Sequence, residues 1–215
     1  MTHWSDCEPG FSFARPPFIR HTMLGLKLAT DPRWADIASK DMAEILTDHA
    51  YCEQKAASSA ISFIVAYPDK DDLVQAMTEL CREEMMHFQM VHAHILERGL
   101  SLGKQRRDDY VIRINAFFAK GVTKHERLVQ DLLIAALIEA RSCERFRVLS
   151  VHIADEGLAT FYHDLMASEA NHYAMFLRFA RKYGHRDEVD RQWQALLEFE
   201  AEVMAELGRE GLIHG

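Results

Sequence analysis

Hydrophobic positions recur every three or four residues through five long stretches of the chain, the period of helices that bury one face. The first stretch covers about residues 36–66, with Ile45, Leu46, Cys52, Ala56, Ala60, Phe63 and Ile64 on its stripe, and Pro68 ends it. Upstream, Asp31-Pro32 marks a helix start, an N-capping residue followed by proline at the first helical position. The second stretch opens on Asp69, Asp71 and Asp72, whose charge suits a helix N-terminus. It carries Leu73, Met77, Leu80, Val91 and Ile95 as far as Gly99. The third covers about residues 124–150 and the fourth about 155–183, where Gly184 stops it. A fifth, about residues 188–207, keeps Trp193, Leu196, Leu197, Val203 and Leu207 to one side and reads as a helix capping the others.

Between the second and third stretches lies a link of residues 100–123, with a short helix expected at about 108–119. Four core helices with one long crossover between the second and third predict an all-α, ferritin-like four-helix bundle with extra flanking helices. Residues 1–30 read as an irregular segment, because Pro9-Gly10 and Pro16-Pro17 break helices, and residues 31–215 as one domain.

Six polar residues interrupt the apolar stripes. Glu84 and His87 stand three apart, as do Glu169 and His172, so each pair points from one helical face. A lone Glu precedes each pair by one helix: Glu53 lies 31 residues before Glu84, and Glu139 lies 30 before Glu169. With 18 Glu and 12 His in 215 residues, roughly one Glu-x-x-His arises by chance, so the motif alone means little. Its place on inward stripes, with a matching Glu upstream, carries the argument. Four carboxylates in an apolar core need neutralising, which two divalent cations do, with one imidazole left for each. An oxygen-rich set with two imidazoles and no thiolate suits iron or manganese rather than structural zinc. Glu144, about 140° further round the helix than Glu139, competes for the third position, and the 30-residue spacing selects Glu139. His49, one turn before Glu53, is placed either to bond a ligand or to be a satisfied core histidine.

Composition narrows the alternatives. The 48% hydrophobic and 27% charged residues are those of an ordinary globular protein. No apolar run approaches the roughly 20 residues of a membrane span, the start Met1-Thr2-His3-Trp4-Ser5-Asp6 is too polar for a signal peptide, and a cytoplasmic protein is expected. Cys7, Cys52, Cys81 and Cys143 form no Cys-x-x-Cys pair, so neither a zinc finger nor a rubredoxin-type module is encoded, and free thiols are expected. The net charge of −8 argues against a generic nucleic-acid binder. Residues 98–127, however, hold eight Lys/Arg against three acids, a net +5 that leaves −13 for the remainder. Such a basic patch on an acidic body can meet a polyanion at one place.

Four segments carry a family resemblance. Residues 48–57 (Asp48 to Ala57), Arg82-Glu83-Glu84-Met85-Met86-His87, residues 138–146 (Ile138 to Phe146) and Ser168-Glu169-Ala170-Asn171-His172-Tyr173 resemble the MiaE-type tRNA hydroxylases, within a similarity over about residues 30–207. The run from Glu139 to Phe146 is the distinctive part, since Glu-x-x-His is shared by ferritin-like di-iron proteins. The resemblance implies a di-iron monooxygenase with ligands Glu53, Glu84, His87, Glu139, Glu169 and His172, of which Glu84 and Glu169 bridge the irons. It implies O₂ as cosubstrate and, since no flavin, nicotinamide or Cys-rich module is visible, an external electron donor such as a ferredoxin or flavodoxin. The substrate implied is the isopentenyl or methylthio-isopentenyl adenosine beside the tRNA anticodon. Lys104, Arg106, Arg107, Arg113, Lys120 and Lys124 are then candidate phosphate contacts, and Arg141, Arg145 and Arg147 are further ones that read first as ion-pair partners. A ferritin-like di-iron protein for peroxide reduction or metal handling is the rival; it would share the ligands without needing the basic patch.

Overall fold

The computed structural model describes residues 22–207 and 212–214, which hold seven helices and no strand. These are α1 (Arg33–Ala38), α2 (Met42–Ala66), α3 (Asp71–Glu97), α4 (Asp109–Asn115), α5 (Lys124–His152), α6 (Glu156–Tyr183) and α7 (Arg186–Leu207). The prolines at 9, 16 and 17, on which the irregular N-terminal segment was argued, lie outside the described residues. Residues 22–32 run in turns and bends.

The helix ends follow local chemistry. The Thr123 hydroxyl accepts from Glu126 N, while the Glu126 carboxylate accepts from Thr123 N, a capping box that starts α5. The Asp155 carboxylate caps α6 by accepting from Leu158 N, and Asp108 caps α4 by accepting from Val111 N. Gly99, at φ +67, turns the chain out of α3 in a conformation that side chains disfavour. At the end of α6 a Cβ on Gly184 would stand 2.4 Å from Val189 Cγ2, so the start of α7 needs glycine there.

Two boundaries differ from the sequence expectation. The first long stretch is two helices, because the Asp41 carboxylate accepts from Glu44 N and opens α2 afresh after α1 closes at Ser39. The helix in the link is shorter than its pattern suggested and ends at Asn115.

α2 pairs with α3 and α5 with α6, two antiparallel hairpins that form the bundle; α4 lies in the crossover and packs on α7. Buried apolar side chains form two clusters. Phe63, Met77, Leu80, Leu132, Leu137 and Phe176 belong to one, and Leu46, Val91, Phe146, Leu149, Tyr162 and Leu165 to the other. On all four bundle helices the candidate ligands fall at the junction of these clusters, so they form a polar layer across an apolar core. Among the described residues, no helix is long and apolar enough to cross a membrane.

Candidate metal centre

The bundle brings all six sequence-selected residues together. Glu53 comes from α2, Glu84 and His87 from α3, Glu139 from α5, and Glu169 and His172 from α6, and each is at most 6% exposed. His87 Nδ1 stands 3.2 Å from Glu84 Oε2, 3.7 Å from Glu53 Oε2 and 4.0 Å from Glu169 Oε1. His172 Nδ1 stands 3.1 Å from Glu84 Oε1 and 3.9 Å from Glu139 Oε2. Two sets of donor atoms result, each within 4.8 Å: Glu53, Glu84, His87 and Glu169 in one, and Glu84, Glu139 and His172 in the other. Glu84 belongs to both, turning one oxygen to each imidazole.

The electrostatics of the layer explain why it calls for cations. Burial opposes ionisation of all four carboxyls. At Glu53 the contacts with His49 and His87 outweigh burial and hold the carboxyl below its ordinary range. Burial prevails at Glu84, Glu139 and Glu169, pushing them up, and neighbouring carboxylates add to it, Glu84 acting on Glu139 and Glu139 on Glu169. Burial would lower the two imidazoles, yet Glu53 and Glu84 lift His87 to about 10, and Glu84 lifts His172 to about 9. Several buried polar atoms still find no hydrogen-bond partner: Glu84 Oε1, Glu169 Oε1 and His172 Nδ1 all point into the layer. These orphaned atoms, in a layer of four carboxylates and two imidazoles, fit a pair of divalent cations bound through oxygen and nitrogen.

His49 bonds the layer directly: its Nε2 lies 2.6 Å from Glu53 Oε1, and its ring is walled by Phe146, Phe161 and Tyr162. Glu144 is buried elsewhere. It accepts from Thr30 N at 2.8 Å and from Arg141 Nη1 at 3.0 Å, and Arg141 also pairs with Glu200 at 2.7 Å. The distinctive run of the third core helix is therefore internal. Arg141 and Arg145 are fully buried, with Arg145 4.0 Å over the Trp34 ring, so neither reaches a phosphate. Arg147 is partly exposed and lies 3.7 Å from Glu144.

A cavity of about 310 Å³ opens beside the layer. Phe63, Ile134, Ala135, Ile138 and Phe176 give it apolar walls, and Glu139 is the one candidate ligand among its lining residues. Lys55 of α2, Asn115 of α4 and the α4 cap Asp108 line it with polar groups. Sequence reasoning missed the wall beside them. His214, near the chain end, puts Nδ1 3.3 Å from Asp108 Oδ2 and Nε2 3.1 Å from Ser142 Oγ, while Lys55 Nζ holds the same Asp108 oxygen at 2.7 Å. Cys52, Asp108 and His214 form a third cluster of donor atoms, already tied up by these bonds. No local pattern near His214 signals the fold-back, which rests on Ile213 N donating to Asp48 Oδ2 at 2.7 Å.

The six basic candidates lie along the link, α4 and the start of α5, all exposed or half-exposed. Arg106 pairs with Glu44, Arg107 with Asp109 and Arg113 with Glu206. Lys124 lies over the ring of Tyr67, a residue that lines the cavity, while Lys104 and Lys120 are exposed.

Comparison with known proteins agrees with this geometry. The family model described as tRNA-(MS[2]IO[6]A)-hydroxylase (MiaE) matches residues 19–215. The tRNA 2-(methylsulfanyl)-N(6)-isopentenyladenosine(37) hydroxylase of Pseudomonas putida is 37% identical over 187 residues, covering 86% of this chain and 89% of that one. The protein of the same description from Salmonella typhimurium is 29% identical, with 79% of each chain covered. The solved structure of Protein 43 with aldehyde deformylating oxygenase activity from Synechococcus superposes with a TM-score of 0.81 at 31% identity, over 88% of this chain and 95% of that one.

Proposed function

Because the chain belongs to the MiaE family of tRNA hydroxylases, we propose that it hydroxylates the isopentenyl group of an isopentenyl or methylthio-isopentenyl adenosine beside the tRNA anticodon, in the cytoplasm. The observation that carries this reading is the cavity, whose apolar walls lead to Glu139 at the layer and whose rim offers Lys55, Asp108 and Asn115. A branched five-carbon chain suits the apolar end, and a nucleobase suits the polar one.

Glu53, Glu84, His87, Glu139, Glu169 and His172 would hold two irons, Glu84 offering one oxygen to each half of the layer. When bound, the irons supply O₂ activation and transfer of one oxygen atom into a C–H bond, the second atom leaving as water with two electrons and two protons. The electrons come from an external donor of the ferredoxin or flavodoxin kind. The protein's share is placement and exclusion. Phe63, Ile134 and Phe176 keep water from the prenyl group, and Ala135 leaves it room beside Glu139. The modified base must leave its stack to reach a buried centre, as enzymes acting on bases require. Lys104, Arg106, Arg107, Arg113, Lys120 and Lys124 would then hold the phosphates around it, and surface ion pairs such as Arg106 with Glu44 are weak enough to exchange for phosphate.

The test is nucleoside analysis of prenylated tRNA after incubation with iron-loaded, reduced protein and O₂. The expected product is the prenylated nucleoside heavier by one oxygen. Unchanged tRNA together with rapid peroxide consumption would instead support the peroxide-reducing or metal-handling reading.

A further inference from the structure

The two halves of the centre repeat at a fixed offset, but the residues behind the ligands do not. Glu84 and His87 return as Glu169 and His172 after 85 residues, so the residue before Glu84, Glu83, returns as Ser168. The two are not interchangeable. Ser168 Oγ donates to Glu83 Oε1, a contact that joins α3 to α6 just outside the layer. The other oxygen, Glu83 Oε2, stands 3.2 Å from His172 Nε2, the ring nitrogen on the far side from Glu84 and Glu139, at ion-pair distance but not aligned as a hydrogen bond. Among the described residues, the carboxylates in ion-pair reach of His87 all face its Nδ1, and none stands behind the ring. One imidazole therefore has a braced carboxylate at its back and the other has none.

We propose that Glu83 is a positioning residue: it holds His172 with Nε2 protonated and Nδ1 presented to the metal, which makes the Glu139–His172 half the tighter of two unequal metal sites. A carboxylate behind a ligating imidazole fixes the tautomer and raises the basicity of the ligating nitrogen, and removing it commonly costs about 10- to 100-fold in metal affinity. Ser168, occupied with Glu83, offers His87 no such support. The half with the stronger imidazole is also the half whose Glu139 lines the cavity, so the metal nearest the substrate is the one most firmly held.

This inference rests on the two-metal reading of the layer, and the test separates the two. Metal-free full-length protein is titrated anaerobically with cobalt(II), with the visible absorption of the bound ion as readout. The wild type is expected to take two equivalents in resolved steps. Glu83→Ala is expected to weaken one step by about 10- to 100-fold and leave the other within about threefold. Glu83→Gln, which keeps an acceptor without the charge, should fall between. In the His172→Ala background, which lacks the ligand that Glu83 acts through, adding Glu83→Ala should cost that step little more, whereas in the His87→Ala background it should still weaken the His172 step by its full factor. A thermal midpoint of metal-free Glu83→Ala close to wild type separates positioning from folding. Two unchanged steps in Glu83→Ala, or equal weakening of both, would overturn the inference alone. Failure of the wild type to take up two equivalents would overturn the two-metal reading and the inference with it.

Discussion

The two halves of the ligand layer hold the same residue types, yet only one of the two lone glutamates, Glu139, lines the cavity. On the α2 side, His49 fills the space one turn before Glu53, bonds it at 2.6 Å and is backed by Phe146, Phe161 and Tyr162. On the α5 side the position one turn before Glu139 is Ala135, and the cavity occupies the space beside it. The repeat of two Glu and Glu-x-x-His helices accounts for metal binding. Of the departures from the repeat, His49 against Ala135 leaves the cavity beside Glu139, the half that the proposed reading gives to the substrate, and Glu83 against Ser168 backs only one imidazole. A symmetric site would hold two metals equally well and give an organic molecule nowhere to go.

Filling the cavity beside Glu139 should have the largest effect. Ala135→Phe is expected to lower tRNA hydroxylation by about 100-fold or more while two-metal uptake persists, since a reacting group displaced by even about 1 Å loses that much. Comparable hydroxylation in this variant would place the substrate elsewhere. The reciprocal change, His49→Ala, should leave the cavity untouched, weaken the metal held by Glu53 and destabilise the metal-free fold by about 2–4 kcal/mol in urea unfolding, through the lost hydrogen bond and packing.

Two carboxylates on α5 sharpen the contrast next. Glu139→Ala should cost one of the two bound metals. Glu144→Ala should keep both, but lower stability by about 3–5 kcal/mol, because Arg141 and Arg145 remain buried with less opposing charge. Loss of one metal in Glu144→Ala, with none lost in Glu139→Ala, would reverse the assignment.

A smaller effect is expected at the cavity rim. Burial alone would raise the Asp108 carboxyl, but contacts with His214 and Lys55 outweigh it and hold it below the ordinary range. Its folded value is depressed, so its stabilisation is present above the unfolded value of about 4 and fades as the pH falls through that value towards the folded one. Asp108→Asn should therefore unfold about 1–3 kcal/mol more easily at pH 7, with the difference shrinking below about pH 4. A deficit that stays constant down to acid pH would show that the charge plays no part. Smallest of all, Lys104→Ala or Lys120→Ala should weaken tRNA binding modestly at all sequences and reduce the salt slope by about one for each lost phosphate contact. An unchanged slope would remove that lysine from the interface.

The order of helices and all six residues of the layer were legible in the chain, because a helical stripe interrupted by Glu or His shows through simple periodicity. The cavity was not, since it depends on which neighbours of Glu139 are small once four helices are packed, and Ala135 has no signature in isolation. Periodicity also could not show that the distinctive Glu139–Phe146 run faces inward all round. Arg141 is the ion-pair partner its sequence setting suggested, held by Glu144 and by Glu200 of α7, while the stacking of Arg145 on Trp34 of α1 has no local signature. Glu83 could have been suspected by overlaying the two halves, where a carboxylate faces a serine at one repeat position. The return of Ile213 and His214 to α2 and α5 is a long-range pairing that no local pattern encodes.

The measurement closest to the centre of this account is an anaerobic titration of the metal-free full chain with ferrous iron, followed by the spectroscopic signature of coupled irons after oxidation. Two irons per chain bound as one coupled centre is the predicted result. Uptake of one iron or none, or of two irons that are magnetically independent, would contradict it.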